Sequence, residues 1–264
     1  MLTNPRSPRM RAVAKLAKKS ARTETGLFLL EGPQSVEEIL NYRPELVVEL
    51  YATKSALERH PDIELIAVEA GVDVRVATEA VLESMSDTIT PQGFVGVARQ
   101  FPTSLDEVFA AGPKLVAVLQ RVRDPGNAGT IVRAADSAGA DAVIFSDDSV
   151  DLYNPKVVRS TTGSLFHVPI AVGAKLADIV ARAHAGGLQV LAADVKGEDL
   201  LAARAALAAP TVWVFGNEAH GLEGDELAQA DRVITIPIYG SAESMNLATA
   251  ASVCLYESAF AQRT

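Results

Sequence analysis

Two loops carry the residue types from which a binding site is made. The stretch Val212–Glu257 holds two short apolar runs, Val212–Phe215 and Val233–Ile236, each of strand length and rich in β-formers. A polar, glycine-bearing loop follows each: Gly216-Asn217-Glu218 after the first, Pro237 to Ser244 after the second. In an open α/β sheet, ligands bind where loops leave the carboxyl ends of strands, so two such loops side by side predict a pocket. Taken alone, they are equally consistent with two ordinary strand-to-helix connections. A further polar stretch, Asp124–Gly139 (DPGNAGTIVRAADSAG), opens a predicted helix with an N-cap acceptor followed by proline. Within it, Arg133 sits among apolar and small residues, and a buried or half-buried guanidinium requires an anionic partner. Asp136, one turn on, would supply only a weak surface pair.

Other chemistries lack their residues. None of the 18 glycines stands two positions from another, so the dinucleotide fingerprint is absent, and no P-loop is found. His60, His167, His184 and His220 show no metal-ligand spacing, and no thiol cluster could serve zinc. A nucleophile elbow for Ser/His/Asp hydrolysis is missing. No metal and no redox cofactor are expected. Cys254, the only cysteine, lies in the apolar run of the last predicted helix and reads as a buried structural thiol, compatible with a reducing, cytoplasmic setting.

The elements that must position these residues follow from patterning. With 48% hydrophobic and 22% charged residues over 264 positions, one large or two modest domains with true cores are expected. No apolar run is long enough for a membrane, and the basic N-terminus lacks the apolar region of a secretory leader, so no membrane partner is expected. Residues 1–22 form a basic arm: Arg6, Arg9, Arg11, Lys15, Lys18, Lys19 and Arg22 with no acid, on a chain of net charge −9. That polarity suggests an arm reaching for RNA over an acidic body, or else a solvated terminal helix. Residues 23–101 read as a small α/β domain, with strands at Gly26–Leu30, Leu46–Ala52, Val72–Val76 and Gly93–Ala98, and with Thr78 capping a helix through Met85. A linker covers 102–113, bracketed by Pro102 and Gly112-Pro113. From 114 to 264 strands and helices alternate (strands at LVAVLQ, AVIF, Leu165–Ile170 and Leu188–Ala193), which predicts a parallel sheet covered by helices.

Three segments, DPGNAGTIVRAADSAGA, VFGNEAHGL and ITIPIYGSAESMNLATAASV, resemble the three motifs of the SpoU branch of the SPOUT RNA methyltransferases, in the family's order and over Leu115 to Glu257. Met245 stands where that family usually has leucine, a swap close in volume. FLLEGPQSVEEIL and TPQGFVGVA resemble, less specifically, the L30e-like substrate-binding domain that often precedes such catalytic domains. The resemblance implies an α/β parallel-sheet domain with a deep trefoil knot, a homodimer with its site near the subunit interface, S-adenosylmethionine as cofactor, and RNA as partner. Ribosomal RNA suits the two-domain build. A tRNA-directed or base-methylating member, and a non-catalytic RNA-binding module, are the alternatives.

The resemblance also assigns residues. Phe215, Gly216, Asn217, Ile236, Ser244 and Met245 match the cofactor pocket, where glycine at 216 would let the backbone approach the ligand closely. Asn127, Arg133, Glu218, Ser244 and Asn246 match the constellation around methyl transfer, and helix capping is a compatible role for Ser244 and Asn246. Arg133 and, secondarily, Arg159 are the candidate RNA contacts. Aligning nucleophile and methyl group can supply roughly 7–11 kcal/mol of the barrier. A general base adds on the order of 10²–10⁴ in rate, about 3–5 kcal/mol. Positioning is the larger effect. Because a guanidinium hardly deprotonates at neutral pH, Arg133 is better read as a bidentate phosphate clamp, with proton removal shared with Ser244 or water.

Overall fold

Helices α1 (Pro8–Lys15) and α2 (Lys19–Thr25) open the chain. Ser7 caps α1 by accepting the Met10 N–H at 3.3 Å, and Pro8 occupies the first turn, where a missing N–H costs nothing. The computed structural model describes residues Met1–Arg263, and their contacts divide them into two units. The first is Met1–Phe101 with Tyr153–Phe166; the second is Pro102–Leu152 with the chain from His167 onward.

In the first unit four strands alternate with helices: β1 (Leu27–Glu31), α3 (Pro33–Tyr42), β2 (Val47–Thr53), α4 (Lys54–Arg59), α5 (Pro61–Glu69), β3 (Val74–Ala77), α6 (Glu79–Met85) and β4 (Phe94–Arg99). The sheet order is β1-β4-β2-β3, with β4 antiparallel to both neighbours and β2 parallel to β3. The basic N-terminal residues are built into this unit rather than reaching from it. Met10, Val13 and Leu16 lie in one core with Tyr51, Leu82 and Val95. Arg22 is buried, donating to the Leu16 and Ala17 carbonyls at 2.8 Å each, and Arg9 donates to Tyr51 Oη at 2.9 Å. The helical pattern of apolar positions 10, 13 and 16 was the signal for this, masked by the charge around it. Thr78 stands at the α6 N-cap without a side-chain capping bond.

The chain continues through α7 (Leu105–Ala110), β5 (Leu115–Leu119), α8 (Pro125–Ala138), β6 (Ala142–Ser146), α9 (Pro155–Thr161), β7 (Ile170–Ala174), α10 (Leu176–Ala185), β8 (Gln189–Asp199), β9 (Thr211–Phe215), α11 (Gly224–Leu227), β10 (Arg232–Thr235) and α12 (Leu247–Arg263). All of these belong to the second unit except α9, whose segment Tyr153–Phe166 packs in the first. The six strands form one parallel sheet, ordered β10-β8-β9-β5-β6-β7. In register, Val118 stands between Ile144 on β6 and Val214 on β9, and these residues join Val190 and Ile179 in one buried core. Trp213 is fully buried and donates its indole N–H to Ser258 Oγ on α12 at 2.9 Å, so its polar atom is satisfied inside the core. Cys254 is buried on the same helix, and burial pushes its thiol up to about 12.

Two strands differ from expectation. Leu165 and Phe166 form a short 3-10 turn in the first unit, and the strand begins only at Ile170. β8 runs on to Asp199, six residues beyond the predicted end at Ala193. Among the described residues no helix is long and apolar enough to cross a membrane, and no group of three or more His, Cys, Asp and Glu side chains could hold a metal.

Candidate active site

The parallel sheet leaves the carboxyl ends of β8, β9 and β10 on one side, and a cleft of about 610 Å³ lies there. Phe215, Gly216, Asn217, Ile236, Ser244 and Met245 all line it, as do Asn127, Glu218 and Asn246. Its wall also carries the apolar side chains of Leu222, Ile234 and Leu247. From Ile236 to Asn246 no main-chain N–H donates a hydrogen bond within the protein among the described residues, so this loop presents unspent donors beside an apolar surface.

Glycine is required at 216 by the protein's own packing. A Cβ there would stand 2.6 Å from the Gly221 carbonyl carbon and 2.7 Å from the Leu222 nitrogen, so the returning backbone leaves no room for a side chain at a position that also lines the cleft. The loop turns back at once: Asn217 N–H donates to Gly221 O at 3.1 Å, and Gly221 N–H to Asn217 O at 2.8 Å. The Asn217 side chain fixes the turn, accepting the Ala219 N–H at 2.9 Å and donating to the Arg121 carbonyl at 2.9 Å.

Side-chain bonds join the three motif segments. Glu218 accepts from the main-chain N–H groups of Arg123 at 3.2 Å and Asp124 at 3.1 Å, and from Asn127 Nδ2 at 3.4 Å. Asn127 Oδ1 in turn accepts from Asn246 Nδ2 at 3.0 Å. Asn246 also caps α12, its Oδ1 accepting the Ala248 and Thr249 N–H groups at 2.9 and 3.2 Å. Asp124 caps α8 in the same manner through the Asn127 N–H at 2.7 Å. Ser244 is exposed on the cleft's lip.

The two candidate RNA contacts lie elsewhere. Arg133 is exposed on α8 rather than half-buried, and it does not line the cleft. Helical spacing turns Ile131, Val132, Ala135 and Ala138 inward and leaves Thr130, Arg133 and Ser137 outward. Its local candidate partner Asp136 is instead bonded to His167 Nδ1 at 2.8 Å, and the Arg133 guanidinium has no hydrogen bond or ion pair among the described residues. Arg159, in the first unit, pairs with Glu31 and, at 3.2 Å, with Asp87.

Sequence reasoning passed over several residues. Asp194 and Lys196 line the cleft from the extended end of β8, and polar residues just past an apolar strand run were the available signal. Arg121 was also passed over. It adopts φ 55°, in the left-handed region, and is held there from both ends. Its Nη1 pairs with Glu223 at 2.6 Å and its Nη2 with Glu226 at 2.8 Å, while its N–H donates to Ser146 Oγ at 2.9 Å. Glu223 beside it, with Glu226, raises the guanidinium pKa further above its ordinary value.

Fold and cleft together define an α/β ligand-binding domain whose site is made of loops at strand ends. The SpoU rRNA Methylase family matches residues 114–256, and the MRM3-like substrate binding domain matches residues 7–96. Among curated proteins, the 23S rRNA (guanosine(2553)-2'-O)-methyltransferase RlmP of Bacillus subtilis is 32% identical over 246 residues, 92% of each chain. Among solved structures, an AdoMet-bound rRNA methyltransferase from Sinorhizobium meliloti superposes with a TM-score of 0.82 at 30% identity, covering 97% of this chain and 96% of that one. The SpoU methyltransferase AviRb from Streptomyces viridochromogenes, in complex with AdoMet, gives 0.81 at 28% identity, covering 97% and 99%. The chain belongs to the SpoU rRNA methylase family.

Proposed function

We propose that this chain is an S-adenosylmethionine-dependent methyltransferase that modifies a ribose 2′-hydroxyl of 23S ribosomal RNA. The observation that carries the reading is the bonded series Glu218–Asn127–Asn246, which draws residues from all three motifs onto one cleft. The cleft's residues fit the cofactor: apolar side chains for adenine and ribose faces, and unspent N–H donors from Ile236 to Asn246 for its heteroatoms. When bound, S-adenosylmethionine supplies a methyl group on a sulfonium, an excellent leaving group. The protein's part is then to bind, orient and exclude water, consistent with a site made mainly of backbone loops.

In this reading Glu218 braces the second-motif loop against the first, its carboxylate oxygens engaged by N–H donors. Asn127 and Asn246 set the polar edge at which the ribose is presented, the exposed Ser244 hydroxyl relays the outgoing proton to solvent water, and Arg133 clamps an RNA phosphate. The first unit, which matches a substrate-binding domain, presents RNA. The catalytic unit carries the trefoil knot of its family and pairs as a C2 homodimer. Support for pairing comes from α12, which buries Ala248, Ala251, Cys254 and Leu255 yet exposes Tyr256 and Phe260, their rings 5.6 Å apart. The protein acts in the cytoplasm, where its substrate is assembled.

The test is direct. Ribosomal RNA from a strain lacking the gene is incubated with enzyme and labelled cofactor, digested to nucleosides and analysed by mass. One methyl group retained on a ribose supports the reading; a methyl on a base, transfer to tRNA alone, or binding without transfer selects one of its alternatives.

A further inference from the structure

A second cleft, of about 470 Å³, adjoins the first and shares the wall Asn217-Glu218-Ala219-His220 with it. Arg121, Arg123 and Glu223 complete its lining. Charge compensation inside it is uneven. Glu218 accepts three N–H donors, and Glu223 pairs with Arg121 at 2.6 Å. The other branch of Arg121 is taken by Glu226 at 2.8 Å, so both of its terminal nitrogens are committed. Asp124, the residue after Arg123, turns an oxygen onto the α8 N-terminus as its cap. Arg123 is different. Its side chain is exposed and has no hydrogen bond or ion pair among the described residues, while its main-chain N–H is pinned to Glu218 at 3.2 Å.

The Arg123 backbone is fixed and its guanidinium free; with Arg121 shared between Glu223 and Glu226, that guanidinium is the one cation of this cleft, among the described residues, left to meet an anion. A planar fork of donors matches phosphate oxygens in a bidentate manner. The only anions that accompany a ribose on RNA are its flanking phosphates. With one loop separating the two clefts, a ribose at the edge of the first leaves a flanking phosphate to enter the second. We propose that Arg123 and this second cleft bind the RNA phosphate next to the ribose being methylated. The proposal rests on the methyltransferase reading and adds to it a substrate subsite distinct from Arg133.

Full-length wild type, Arg123→Gln and Arg123→Lys are compared, with a 23S rRNA transcript as the probe. Binding is measured across a salt series, cofactor affinity by calorimetry, and folding by thermal melting. Arg123→Gln should flatten the slope of log affinity against log salt by about 0.7, the loss of one phosphate contact on a single strand. Its KM for the transcript should rise by about tenfold, with kcat changing much less and cofactor affinity within about twofold. Arg123→Lys should keep the salt slope, as a point charge suffices for it, and recover part of the KM. Parallel salt plots for Arg123→Gln and wild type overturn the proposal. So does an unchanged slope accompanied by weaker cofactor binding, which would assign the cleft to the cofactor. A wild-type protein that binds the transcript without transferring methyl would sink the methyltransferase reading instead, and the slopes would still decide Arg123.

Discussion

The side-chain amide of Asn246 donates to the side-chain carbonyl of Asn127 across 3.0 Å, tying the start of α12 to the start of α8. Each residue has a second duty: Asn246 caps α12 through its carbonyl oxygen, and Asn127 offers its own amide to Glu218. The two amides therefore orient one another. Aspartate at 246 would cap as well as asparagine but could donate nothing to Asn127. Turning the Asn127 amide over to compensate would set its oxygen against the Glu218 carboxylate. Asn246→Asp should keep the melting temperature of wild type while methyl transfer falls by about two orders of magnitude, the scale expected for a small misplacement of reacting groups. Asn246→Ala should lose both, with about 1 kcal/mol of stability gone with the cap. Melting and single-turnover assays on the two variants separate capping from alignment.

Gly216→Ala tests whether the loop crossing shapes the cofactor site. The added carbon would meet backbone 2.6 Å away, which cannot yield as a side-chain tip would. Relief requires the turn from Asn217 to Gly221 to move, at about 1–3 kcal/mol. Calorimetry should show cofactor affinity reduced by about tenfold or more, since that turn forms the cleft wall. Unchanged affinity with a normal melting curve would show that the crossing has slack.

Where strand and loop adjoin, the local structure was legible from residue types: the apolar run ending at Phe215 and the glycine after it appear as β9 and the crossing turn, while the roles of the cleft residues came only from the resemblance to the SpoU motifs. The misreadings share a physical cause, burial that sequence cannot attribute to a partner. Leu165 and Phe166 are apolar because they pack in the first unit as a turn, while the true strand β7 is less conspicuous, with Val172 41% exposed near the sheet's edge. Arg133 was expected to be half-buried because its immediate neighbours are apolar, yet one helical step of about 100° separates inside from outside. The position of Arg121 depends on Glu223 and Glu226, a hundred residues away in sequence, and no local pattern announces it.

An exposed, unpaired Arg133 sharpens what its removal should do. Surface substitutions away from packing contacts usually change stability by no more than about 0.5 kcal/mol. Arg133→Ala should accordingly melt as wild type does and bind cofactor normally, because the residue does not line the cleft. Methyl transfer should nevertheless fall by at least about two orders of magnitude if the guanidinium orients the ribose through its phosphate. A variant with weakened cofactor binding but normal turnover at saturation would place Arg133 in another role.

Cys254 links stability to alkaline pH. Burial raises its thiol from 9.0 to about 12, so the folded state holds this proton more tightly than the unfolded chain does. The sign follows: stability from this group is intact below pH 9 and is lost as pH rises from there towards 12. Cys254→Ala should flatten the alkaline arm of a denaturation-midpoint profile. At neutral pH a thiol reagent should label wild type only at the rate of unfolding.

The cations of residues 1–22 are divided by the fold into those that hold structure and those that face solvent. Arg9 and Arg22 are bonded within the first unit, whereas Arg6, Arg11, Lys15, Lys18 and Lys19 are exposed. Deleting the segment would remove Met10, Val13 and Leu16 from a core, so weakened RNA binding by a truncated protein would say little about charge. Neutralising Lys15, Lys18 and Lys19 together with glutamine isolates the electrostatic effect, since none of the three is buried. If each contacts a phosphate, the salt slope of RNA binding should fall by about two units, at roughly 0.7 per contact on single strands. Melting and cofactor affinity should stay at wild-type values, because no cleft residue lies in this segment. Parallel salt plots for the triple variant and wild type would show these lysines to be a solvated face and would leave RNA affinity to the catalytic unit and the rest of the first.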